Sequence, residues 1–87
     1  MTEIVLKLML LRYNMLSKEK AAATSKCMYT GEDDEWAECV DEMTKMEDDL
    51  RKYGCEFVRT SSKAAGEMRY NIYAIVLTSN CGAISNV

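Results

Sequence analysis

The sequence contains no histidine, which removes the commonest general base and the commonest metal ligand. A cysteine–histidine pair is therefore impossible, both within one chain and between identical chains. Proline is also absent, which excludes Pro-rich linkers and SH3-type ligand motifs. Four glycines, Gly31, Gly54, Gly66 and Gly82, stand far apart and build no phosphate-binding loop. Four cysteines, Cys27, Cys39, Cys55 and Cys81, include no C-x-x-C pair, so a four-thiolate zinc site has no support. The aspartates do not follow a calcium-loop pattern, and Ser61 and Ser62 lack a G-x-S-x-G context. We therefore expect no enzyme, and assign no catalytic, metal or cofactor residue.

What is present is a single small domain of 87 residues, 48% of them apolar. A chain of this size buries only roughly 60–65% of its unfolded surface, so it gains from disulfides, a metal or a second copy. Eleven basic residues against fourteen acidic ones leave a net charge of −3, which argues against direct nucleic-acid binding. Glu3 and Lys7 interrupt the first apolar stretch, which is too short to span a bilayer, and no leader is read there. The expectation is a cytoplasmic protein without a membrane partner, its thiols reduced and mostly buried as small core groups.

Residues 3–13 read two ways. Period two puts Ile4, Leu6, Leu8 and Leu10 on one face, whereas period 3.6 aligns Ile4, Leu8, Leu11 and Met15. We read a strand, because the C-terminal strands need a partner. Ser17 can cap a short helix over residues 18–23, or residues 14–31 form a loop with one helical turn. The next helix is clearer. Thr30 and Asp33 resemble a capping box, and Trp36, Cys39, Val40, Met43, Leu50 and Tyr53 form a stripe broken only by Glu47. Arg51 and Lys52 close its last turn and Gly54 suits a left-handed C-terminal residue. Residues 55–60 read as a strand, 61–67 as a loop and 68–79 as a longer strand. The predicted fold is α+β, a β-(α)-α-β-β domain over residues 1–79. It has about three antiparallel strands under one long amphipathic helix, and residues 80–87 form a loose tail.

Ile72, Ala74 and Val76 alternate with Tyr73, Ile75 and Leu77, so both faces of the last strand are apolar. One helix stripe cannot cover both, and the sequence predicts a homo-oligomer in which a second copy covers the exposed face. The alternative cover is the 14–30 segment.

Ten of the fourteen acidic residues lie between Glu32 and Asp49, offset there only by Lys45. Glu35, Glu38, Asp41, Glu42, Asp48 and Asp49 form the candidate partner-binding set. They either mimic a phosphate backbone for a basic site on a larger protein or simply solvate the helix. Arg12, Tyr13, Arg69, Tyr70 and Tyr73 are the alternative set, combining rings and cations in a way that suits a nucleotide held between protomers. The seven methionines fill the core or soften an interface. In size and acidity alone, the chain resembles the small acidic proteins of phages and mobile elements, a resemblance that transfers no residue. Small size, absent catalytic groups and the segregated acidic helix point to a non-enzymatic protein-interaction module, such as a phage-type inhibitor of a larger protein, and the Arg/Tyr cluster with the expected oligomer points to nucleotide sequestration as the alternative.

Overall fold

A computed structural model describes residues 2–66 and 68–77. It contains two helices, α1 (Glu3–Thr30) and α2 (Asp34–Lys52), followed by two strands, β1 (Cys55–Ala65) and β2 (Met68–Leu77). The fold is α+β, with a two-stranded antiparallel sheet.

The first correction concerns residues 3–13, which are helical and belong to a 28-residue α1. Leu, Met, Ala, Lys and Glu dominate this stretch, and neither Gly nor Pro interrupts it. The Thr2 hydroxyl caps the start by accepting from the Val5 N–H at 3.3 Å. The helix continues through residues 14–30, where a short helix or loop was expected. It ends at Gly31, whose φ of 77° is left-handed and whose N–H donates to the Cys27 carbonyl at 2.8 Å. Thr30 is thus the last residue of α1 and no capping-box start for α2. Its hydroxyl donates to the Lys26 carbonyl and accepts from the Glu32 N–H.

α2 follows after three residues and packs along α1 as a helical hairpin. Asp34 and Glu35 in its first turn, and Arg51 and Lys52 in its last, complement the helix dipole. Gly54 has φ 73°, as its position after the helix required. Of the expected stripe, Cys39, Met43 and Leu50 are buried and Met46 is half-buried, while Trp36 and Tyr53 are exposed at the ends.

The second correction concerns the sheet. With residues 3–13 helical, two strands remain where about three were expected. The 61–67 loop also shrinks. Ser61 to Ala65 continue β1, pairing with Ile72 to Met68 after an irregularity between Arg59 and Ser61. The turn is then made at Gly66, with φ 66°. Residues 78–79 of the expected last strand, the 80–87 tail and Cys81 lie outside the described residues.

An isolated two-stranded hairpin is marginal in water, so the helices must support it. Tyr13 and Leu16 of α1 and Cys39 and Met43 of α2 form a buried cluster, with Met46, Phe57 and Tyr73 packed against it. The Tyr13 ring stacks on Phe57 at 3.7 Å between centroids and meets Tyr73 edge-on at 4.9 Å. Among the described residues, no helix is long and apolar enough to cross a membrane.

α1 also runs beside the edge of β2. The Asn14 side chain donates to the Tyr73 carbonyl at 3.2 Å and accepts from the Tyr73 N–H at 2.8 Å. Ser17 donates to the Asn71 carbonyl at 2.8 Å. These backbone groups point away from β1, and α1 satisfies them as a neighbouring strand would.

Candidate functional site

The two helices enclose an open groove of about 370 Å³. Glu19 enters it from α1, and Glu35, Glu38 and Glu42 enter it from α2, with Arg12 at one end and Cys39 in its wall. The i, i+3, i+4 and i+7 spacing of the α2 residues puts them on the side that faces α1.

Arg12 reaches across the groove to Glu42 in a forked pair, Nε to Oε2 at 2.7 Å and Nη2 to Oε1 at 3.0 Å. The hydrogen bond to Arg12 is the main reason the Glu42 carboxyl lies below its ordinary range, and the same bond raises Arg12. Lys26 sits between Glu35 at 2.8 Å and Glu32 at 3.9 Å, and its bond to Glu35 raises its own proton affinity. Burial, followed by the charges of Glu19 and Glu42, pushes the Cys39 thiol up. Cys39 is therefore protonated at neutral pH and is a poor nucleophile.

The six acidic residues singled out by sequence fall into three groups. Glu35 and Glu42 are drawn into ion pairs across the helix interface. Asp48 and Asp49 pair along the helix with Arg51 at 2.9 Å and Lys52 at 3.8 Å. Glu38 and Asp41 are exposed and make no ion pair among the described residues. Asp34 continues their row one turn earlier, so α2 presents three uncompensated carboxylates over two turns.

The ring-and-cation set is divided by the fold. Arg12 belongs to the acidic groove. Tyr13 is buried, and its hydroxyl donates to Glu47 Oε2 at 2.6 Å. Glu47 thus interrupts the apolar stripe of α2 because it receives this phenol. Burial and the Glu47 bond raise Tyr13 far above the ordinary tyrosine range. Arg69, Tyr70 and Tyr73 do come together, lining a smaller pocket of about 180 Å³ with Lys20 and Asn71. Lys18 Nζ lies 5.7 Å from the centre of the Tyr70 ring.

Sequence reasoning missed Asn14, Ser17, Glu19 and Lys20. Leu10, Asn14, Ser17 and Ala21 share one face of α1, a signal that exists only once the segment is read as helix. Among the described residues, no three His, Cys, Asp or Glu side chains are grouped to hold a metal. Comparison with family models, with curated proteins and with solved structures finds no match.

Proposed function

We propose that this chain is a non-enzymatic interaction module that docks a basic surface of a larger protein onto the exposed face of α2 and the adjoining α1–α2 groove. It acts as an inhibitor of the phage type, in the cytoplasm and as a homo-oligomer. The row Asp34, Glu38 and Asp41 carries this reading: exposed carboxylates on a braced helix, with no basic partner among the described residues. Placing such a row rigidly favours electrostatic steering of a cationic partner. The unpaired thiols of Cys27, Cys39 and Cys55 suit a reducing compartment.

The test is co-purification of the native protein from its own cells, with the recovered partner identified by mass. Retention should fall as salt rises, because the contact is charged. Glu38→Lys combined with Asp41→Lys should abolish it, while Glu56→Lys on β1 should leave it intact. Retention unchanged by both salt and the double reversal removes this reading.

The pocket beside Tyr70 favours a second reading, a small-ligand binder. Lys18 lies over the Tyr70 ring, and Lys20 and Arg69 line the pocket beside it, an arrangement that attracts a nucleotide, with a second protomer completing the site. A nucleotide panel would then raise the melting temperature of the wild type, and Arg69→Ala would remove the shift. A flat panel removes it.

A further inference from the structure

α1 is apolar on two opposite faces. Leu6, Leu10, Tyr13 and Leu16 face the hairpin or the core. Ile4, Leu8, Leu11 and Met15 lie on the other side and remain 71%, 60%, 63% and 54% exposed. Their spacing of four, three and four residues is that of a coiled-coil seam over two heptads. Neither α2 nor the hairpin approaches this side.

We propose that this seam is where a second copy of the chain packs, α1 against α1, antiparallel and centred between Met9 and Leu10. The proposal deepens, and rests on, the self-association in the proposed function. In this register Ile4 meets Met15 of the second copy and Leu8 meets its Leu11, so the two-fold axis makes each contact twice and leaves no seam residue uncovered. Charge selects the orientation. A parallel pair would set Lys18 against its own copy in the seam. The antiparallel register carries the two Lys18 side chains to opposite ends of the pair, with no like-charge contact in the seam. Covering the seam removes about 500 Å² per chain, roughly 1,000 Å² in total, which meets the lower bound for a specific interface and fits a micromolar dimer. A membrane surface is the poorer occupant, because the flanks carry Glu3 and Glu19 as well as Lys7 and Arg12, and are not a lysine-rich rim.

Sedimentation of the full chain from 1 µM to 1 mM should show a rise from 9.9 kDa to twice that mass. Leu8→Glu combined with Leu11→Glu should hold the chain at the monomer mass with an unchanged helical spectrum, since both side chains are already exposed. Isotope-filtered NMR on a mixed-label sample should show Ile4 methyls touching Met15 of the second copy. In a parallel pair these are about 16 Å apart along the axis. A monomer at every concentration removes self-association itself. A dimer indifferent to the double substitution keeps self-association and overturns this surface, and one with Ile4 against Ile4 keeps the surface and overturns the antiparallel register.

Discussion

Tyr13 shows how much one side chain contributes to this core. Its ring is stacked on Phe57 and its hydroxyl serves the Glu47 carboxylate, so it joins α1, α2 and β1 at one point. Tyr13→Phe keeps the ring and deletes the donor. A hydrogen bond to a charged group contributes about 1.5–3 kcal/mol, so urea denaturation should show a loss of that size. The same group sets an alkaline limit. The native phenol is raised above its unfolded value of 10.0, so its contribution is complete below that pH and declines as pH rises beyond it. Wild-type stability should therefore fall above pH 10 more steeply than that of Tyr13→Phe, the other four tyrosines being common to both.

At the scale of elements, the junction between the helices is the most exposed to test. Gly31 is left-handed and a Cβ there would meet nothing within 4 Å, so the cost of Gly31→Ala is conformational alone. It should destabilise the protein by about 1–2 kcal/mol by thermal or urea unfolding, and Gly31→Asn by less. The misreading of α1 has an equally local cause. A helix apolar on two opposite faces places Leu6, Leu8 and Leu10 alternately towards core and solvent, and that alternation imitates a strand. The absence of any Gly or Pro from Thr2 to Thr30 was the better signal, because a strand and a loop within that span would call for a breaker. α2, Gly54 and the start of each strand were legible, since one face, one cap and one change of period mark each of them. The extension of β1 to Ala65 was not, because Ser61, Ser62 and Lys63 are polar on both faces and resemble a loop. The candidate site followed the same division: the acidic residues were visible as a cluster, but which of them are neutralised depended on where α1 places Arg12 and Lys26.

At the scale of the whole molecule, the charges separate. α2 carries the acidic row, while Lys18, Lys20, Lys63 and Arg69 gather where α1 meets the end of the hairpin. The chain is thus polar in space as well as acidic on balance. Its apolar surfaces separate too: the α1 seam lies opposite the core, and Val58 and Val76 are exposed on the hairpin face away from Phe57.

The bridge from Asn14 to Tyr73 spans 59 residues, whereas the helical hairpin and the strand hairpin each close over a short stretch of chain. Local pieces assemble quickly, and their docking comes late because it must close the long loop. An interaction made after the rate-limiting barrier changes how fast a protein comes apart and hardly changes how fast it assembles. Asn14→Ala should therefore cost about 1–2 kcal/mol and accelerate unfolding roughly 5- to 30-fold, with the refolding arm of the chevron almost unmoved. Equal displacement of both arms would place the docking inside the folding nucleus. On this expectation, one amide sets the lifetime of the folded chain independently of the speed with which it forms.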